Sequence, residues 1–274
     1  MEIVARENIL IVVDIYGDMH EGTAMMNGID ISHWQKYLNI AEIKYDFVIC
    51  KATEGTNFLD ASFHGFMSKA ESLGKCMGFY HFARPEKNTA EAEAKFFYAN
   101  TVKYFGKAIP VLDWESKGKW NVAWAKEWLD LIYSMTGVKP MIYMSESVVN
   151  QFNWSEVALA DYGLWVAKYR DMNIDKNYDM SLAGNKPQVK WWKFYAMWQW
   201  TSSGRLEGYN ANLDCDVFYG DAEAWKRYAG TANEKTYMVK DGDTISKIAK
   251  EHNQSVDELV EKNNLIRTGQ ILKI

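Results

Sequence analysis

Only three cysteines, Cys50, Cys76 and Cys215, occur in 274 residues, an odd number that implies no disulfide framework. Each lies within an apolar, strand-like run and none in a C-x-x-C spacing, so they read as buried free thiols rather than zinc ligands. The five histidines are scattered, and no metal or cofactor is expected. No apolar run reaches the 18 or so residues that a membrane span requires. The segment Ile9–Val13 is short, lacks a basic flank and is followed by Asp14, Asp18 and Glu21, so it fails as a secretory signal. Lys and Arg form no runs and the formal net charge is -5, which argues against nucleic acid as a partner.

What is present is core-forming and aromatic. Hydrophobic residues make up 48% of the chain and charged ones 24%, enough for a sizeable core and incompatible with wholesale disorder. The 12 Trp and 16 Tyr could stack on sugar faces, although the default role of any one such ring is core packing.

Short apolar runs bounded by turn residues recur at Gly28–Ile31, Phe47–Cys50, Cys76–Phe82, Ile109–Trp114, Met141–Met144, Leu164–Ala167, Tyr195–Trp200 and Leu213–Phe218. Helical spacing falls between the earlier ones, over Ser62–Leu73, Thr89–Tyr104 and Val122–Met135, with Asn88 and Glu91 as a cap and N3 pair for the second. Strand and helix in alternation favour a parallel sheet, and eight strands favour a closed β/α barrel. Residues 171–187 and 202–212 read as loops, so the barrel should carry fewer than eight flanking helices. Residues 1–26 do not share this pattern and are set apart as an N-terminal extension of unknown role. The barrel is expected over 27–228, followed by a small polar linker at 229–235. Residues 236–274 then read as a β-α-α-β module of balanced charge. Its strands are expected at Tyr237–Val239 and Gln270–Ile274, its helices at Thr244–His252 and Val256–Asn263, and its core includes Val239, Ile245, Ile248, Ala249, Val256, Leu259 and Leu265.

One run carries chemistry. Ile109–Trp114 ends beside two carboxylates, Asp113 and Glu115, whose i and i+2 spacing puts them on one face roughly 6–7 Å apart along the strand. Two carboxylates in one pocket do not ionise together cheaply, so one is held toward its protonated form, as a general acid requires. Reactive groups of β/α barrels gather at the carboxyl ends of strands, where this pair falls.

With these motifs in hand, residues 27–228 resemble the glycoside hydrolase family 25 lysozymes, the N-acetylmuramidases. The resemblance rests on Gly28–Ser32 with Trp34-Gln35, Phe47–Gly55, Gly78–Phe82, Pro110–Glu115, Leu164–Ala167, and Trp198–Thr201 leading to Leu213–Phe218. Residues 236–274 resemble a LysM module, a binder of N-acetylglucosamine polymers, through Tyr237–Ile245, Ile248-Ala249, Val256–Leu259, Asn263–Leu265 and Thr268–Gln270. The resemblance implies hydrolysis of the β-1,4 bond between N-acetylmuramic acid and N-acetylglucosamine in peptidoglycan glycan strands. By position, Glu115 is the general acid, Asp113 its neighbour, and Asp30 and Asp214 complete the acidic cluster. Asp216 stands where relatives more often have Asn, and the role is assigned to Asp214 instead. Tyr80, Trp165, Gln199 and Lys51 are expected to line the substrate cleft, while His81, on the opposite face from Tyr80, is expected in the core. Asp113 is read as holding the substrate 2-acetamido group for an assisted attack, with an enzyme carboxylate as nucleophile the alternative.

Three competitors weigh less. A noncatalytic wall-binding barrel would be expected to lack one of the four acids. A chitinase-like barrel carries a D-x-x-D-x-D-x-E series that is absent here, and an amidase or peptidase needs zinc ligands or a Cys-His pair. With no export signal recognised, the expected setting is an endolysin made in the cytoplasm and released to the bacterial wall by a pore-forming partner.

Overall fold

The computed structural model describes residues 24–230, 236–238, 243–252, 254–263 and 271–273. The chain divides into a large unit, Met19–Ala232, and a small one that contains Asn233–Ile274. The large unit holds ten strands: β1 (Met25–Ile31), β2 (Phe47–Glu54), β3 (Phe58–Leu59), β4 (Cys76–Phe82), β5 (Ile109–Asp113), β6 (Met141–Ser145), β7 (Leu164–Ala167), β8 (Asp175–Lys176), β9 (Met197–Arg205) and β10 (Leu213–Tyr219). Among the described residues it holds six α-helices: α1 (Phe63–Ser72), α2 (Ala90–Thr101), α3 (Val122–Thr136), α4 (Glu146–Gln151), α5 (Ser155–Leu159) and α6 (Ala222–Tyr228).

Eight of the strands close on themselves in the order β1, β2, β4, β5, β6, β7, β9, β10, with β10 returning to β1. The two-residue strands β3 and β8 are appendages on β2 and β9. Each pairing from β1 to β9 is parallel, but β10 is antiparallel to both β9 and β1, unlike the parallel sheet the alternation predicts. The connection explains it. Only residues 206–212 separate β9 from β10, too few for a crossover, so the chain can only turn back on itself. β9 accordingly extends to Arg205, into a stretch expected to be loop. β1 likewise begins at Met25, pairing Met25 with Tyr219, so the barrel takes in two residues expected in the N-terminal extension, whose residues 1–23 lie outside the described ones.

Strand alternation sorts the side chains into two layers. Outward residues, among them Ile29, Val48, Phe79, Leu112, Ile142, Val166 and Val217, pack with the helices in one core. Inward residues Phe47, Ile49, Ile109, Val111, Met141, Met197 and Phe218 fill the lower barrel. Trp225 of α6 closes that end: its ring lies 4.6 Å from Phe47 and 5.0 Å from Phe218, and its indole N–H donates to the Met77 carbonyl at 3.0 Å. Gly28 is required on this inner face, because a Cβ there would meet the Phe47 ring at 2.3 Å. Cys50 and Cys215 are buried free thiols, whereas Cys76 is only half-buried.

The cap of α2 differs from the expected one. Thr89 accepts from Ala92 N–H at 3.2 Å, while the Asn88 amide donates to Glu93 at 2.7 Å. Glu93 also receives the Arg84 backbone N–H and His81, a hub that draws Asn88 away from the helix terminus.

In the small unit, β11 (Thr236–Met238) pairs antiparallel with β12 (Ile271–Lys273), and α7 (Ile245–Glu251) and α8 (Val256–Asn263) lie between them in sequence. Ile248, Ala249 and Leu259 are buried as expected, but Val256 is exposed because it opens α8. The core positions expected at Val239 and Leu265 lie outside the described residues.

No helix among the described residues is long and apolar enough to cross a membrane.

Candidate active site

The inner face turns polar at the upper end of the barrel. Above Val111 comes Asp113, above Met141 comes Tyr143, above Met197 comes Gln199, and above Gly28 comes Asp30. Because β10 runs in the reverse sense, its early residue Asp214 is the one that reaches this end, in register with Asp30. Asp30, Tyr80, Asp113, Glu115, Tyr143, Trp165, Tyr169, Gln199 and Asp214 together line a cavity of about 210 Å³.

The four acids expected to cluster are thus brought together, with Tyr80, Trp165 and Gln199. Lys51 is not in the lining. Its ammonium pairs with Glu54 at 2.7 Å and lies over the Phe82 ring, and Glu54 in turn takes the Arg84 Nε–H at 2.9 Å. Its influence on the acids is through charge.

Two tyrosines had not been expected. Tyr143 donates to Gln199 Oε1 at 2.7 Å, and the Tyr169 hydroxyl donates to the same oxygen. With its oxygen so occupied, the Gln199 amide is oriented to donate through Nε2 to Asp30 Oδ2 at 2.6 Å. Tyr143 also sits opposite Trp165 in the β6–β7 register, ring centroids 4.5 Å apart, and the Trp165 indole donates to Asp216 Oδ1 at 2.9 Å. The signal for Tyr169 was alternation, since 165, 167 and 169 share one face, but 169 lies beyond the apolar run that marks β7.

His81 faces the other way, as expected. It is fully buried, with Nε2 at 2.7 Å from Glu93 and Nδ1 at 2.7 Å from the Thr53 hydroxyl, and it stacks on Trp128. Burial holds its imidazole below the ordinary range, which fits a neutral ring donating through Nε2 and accepting through Nδ1.

The acids differ in setting. Asp30 and Asp113 are buried, at 7% and 6% exposure, whereas Glu115 stands exposed on the cavity wall past the end of β5. Burial raises Asp113 well above the usual carboxylate range, and the charge of Glu115 raises it further while Lys51 opposes. Loss of water at the cleft wall raises Glu115 too, and Lys51, Lys119 and Arg84 pull it back. Asp214 is pushed up to about 7 by burial and then by Glu115. Asp30 is raised by burial and by Asp214, with the Gln199 hydrogen bond acting the other way. The spacing of the pair implies that one carboxylate raises the other, without saying which. In the structure the larger effect of one on the other runs from Glu115 to Asp113, because Asp113 is the member without water. Burial also keeps the Tyr80 and Tyr143 phenols protonated and able to donate.

Among the described residues no group of three or more His, Cys, Asp or Glu is arranged to hold a metal ion. The arrangement offers a proton donor at an open wall, buried carboxylates facing it, and fixed hydroxyl and amide donors. Such a set can protonate a leaving oxygen and stabilise positive charge at carbon.

Comparison with known proteins agrees with this chemistry. The family model "Glycosyl hydrolases family 25" matches residues 29–209, and that of the LysM domain matches residues 237–274. Lysozyme M1 of Streptomyces globisporus is 28% identical over 218 residues, covering 73% of this chain and 70% of that protein. The uncharacterized protein YegX of Escherichia coli K12 is 28% identical over 221 residues, 76% and 75% of the two chains. The crystal structure of the bacterial lysozyme from Streptomyces coelicolor superposes with a TM-score of 0.65 at 26% identity, covering 77% of this chain and 100% of that one.

Proposed function

The chain belongs to glycosyl hydrolase family 25 and carries a LysM domain, and on that premise we propose that it is an N-acetylmuramidase whose general acid is Glu115. The substrate of this reading is the β-1,4 bond from N-acetylmuramic acid to N-acetylglucosamine in peptidoglycan. The observation that carries the assignment is the contrast within one cavity: Glu115 is the exposed acid, its carboxyl raised, facing the buried Asp30 and Asp113 and the half-buried Asp214. A donor must reach the leaving oxygen and hold its proton more tightly than a free carboxylate does, and Glu115 is both open to the cleft and raised.

Asp113 is the neighbour that receives the other side of the scissile sugar. No side chain or backbone group of the described residues bonds its buried Oδ1, an acceptor that a substrate acetamido N–H would satisfy. Held so, the acetamido oxygen is directed at the anomeric carbon, and the amide rather than an enzyme carboxylate attacks. Asp30, the carboxylate that the Gln199 amide supports, places negative charge beneath the developing oxocarbenium ion, with Asp214 beside it. Tyr80 and Trp165 shape the wall, and the LysM domain anchors the enzyme to the polymer.

Glu115→Gln keeps shape and removes the titrating proton. It is expected to lower lysis of purified walls by roughly 10²- to 10⁴-fold with wall binding unchanged. Mass spectrometry of wild-type products should find each new reducing end on N-acetylmuramic acid. Wild-type lysis by the variant, or reducing ends on N-acetylglucosamine, would overturn the reading.

A further inference from the structure

The cluster contains one acid too many for the chemistry just described. Asp216 is completely buried and lies beneath the cavity rather than in its wall. Its place follows from strand register: β10 pairs Asp214 with Asp30 and Asp216 with Gly28, so Asp216 faces a position with no side chain and leans toward Asp30.

Its partners are few. Oδ1 accepts the Trp165 indole N–H at 2.9 Å, and no N–H or O–H donor of the described residues reaches Oδ2. Yet the Asp216 and Asp30 side chains are in hydrogen-bond contact with one another. Two ionised carboxylates have only acceptors to offer, so such a contact needs a proton between them. Asp30 already receives the Gln199 amide at 2.6 Å, and Gln199 cannot turn away because its oxygen holds two tyrosine hydroxyls. The better-supplied carboxylate is the one that stays ionised, and the other keeps the proton.

We infer that Asp216 is a neutral carboxylic acid that donates a hydrogen bond to Asp30 and so positions that carboxylate at the floor of the cleft. The inference rests on the muramidase reading for the importance of Asp30, and Asp216 is a positioning residue that does not touch substrate.

The surroundings favour the neutral form. Asp30 faces Asp216 from β1, Asp214 and Cys215 adjoin it on β10, and the phenols of Tyr169 and Tyr178 face it from the segments after β7 and β8. The cations that act on the cleft acids, Lys51 on Asp113 and Lys51, Lys119 and Arg84 on Glu115, favour ionisation there rather than at Asp216. Burial first, and then the charges of Asp30 and Asp214, push the Asp216 carboxyl well above its usual range. When Asp216 does ionise at high pH, it turns from donor into a second negative charge against Asp30, and activity should fall.

Two variants and one direct measurement test this on the full chain. Asp216→Asn supplies an amide donor that does not titrate; it should retain turnover and carry it to higher pH than wild type. Asp216→Leu removes the donor and should lower kcat by roughly 10- to 100-fold, with KM little changed. Carbon-13 NMR of aspartate carboxyls, assigned by difference with Asp216→Asn, should find Asp216 protonated at pH 7. An ionised Asp216 signal at pH 7, or an Asp216→Asn enzyme as impaired as Asp216→Leu, would overturn the inference. The NMR result stands apart from activity, so failure of the muramidase reading, seen with Glu115→Gln, is distinguishable from failure of this one.

Discussion

Asp214 shows what a single residue contributes and costs. In an unfolded chain an aspartate ionises near pH 3.9, whereas folded Asp214 holds its proton up to about 7. Across that interval the folded state binds more protons than the unfolded one, so stability falls as pH rises from about 4 to 7 and then levels off. Asp30 and Asp113, raised in the same direction, add to the fall. Asp214→Asn should therefore stabilise the barrel at pH 8 by about 1–2 kcal/mol, the neighbouring acids absorbing the rest of the relief, and change it little at pH 4. Thermal melts at both pH values check this; equal effects at both would sink it. The same variant should lose activity, so the acids of the cleft trade stability for chemistry.

At the scale of elements, β10 and α6 decide the two ends of the barrel. The short 206–212 connection reverses β10 and delivers Asp214 to the upper end. The chain then enters α6, which lays Trp225 across the lower end against Phe47 and Phe218. Trp225→Ala would leave a cavity under the barrel and break the bond to Met77. It is expected to cost about 3–5 kcal/mol, read as a lower urea midpoint with an unchanged slope. Cleavage by the folded fraction should persist, because no cavity-lining residue is on α6. Gly28→Ala meets the same packing from the other side, since its Cβ collides with the Phe47 ring.

At the scale of the whole molecule, hydrolysis and anchoring are assigned to different units of one chain. On the proposed reading, a LysM domain tethered to the barrel would raise the local concentration of enzyme on an insoluble polymer. Truncation after Gly230 should weaken binding to purified walls on the order of 100-fold while sparing cleavage of short soluble glycan fragments. Sedimentation with walls and turnover of soluble fragments measure the two separately, and equal loss of both would contradict the division.

The amino-acid sequence by itself determined which residues form the strands and which side chains face inward, because period-2 alternation is a local property of each run. That is why Asp113 and Glu115 were legible from their spacing before any contact was known, whereas Asp30, Asp214, Tyr80, Trp165 and Gln199 came from the family resemblance. Only the tertiary structure decided what depends on neighbours far along the chain. The direction of β10 follows from a hairpin closing against β1. Glu54, which binds Lys51 on the same strand, also takes Arg84 from the loop after β4, a partner that only the meeting of the two segments supplies. Tyr143, Tyr169 and Gln199 converge on one hydrogen-bonded oxygen from three separate strands or their ends. In the D-x-D triplet the role went to Asp214, because Asp216 stands where relatives more often have Asn. Its depth beneath the cleft, and the absence of any donor for its second oxygen among the described residues, emerge only when eight strands close around it.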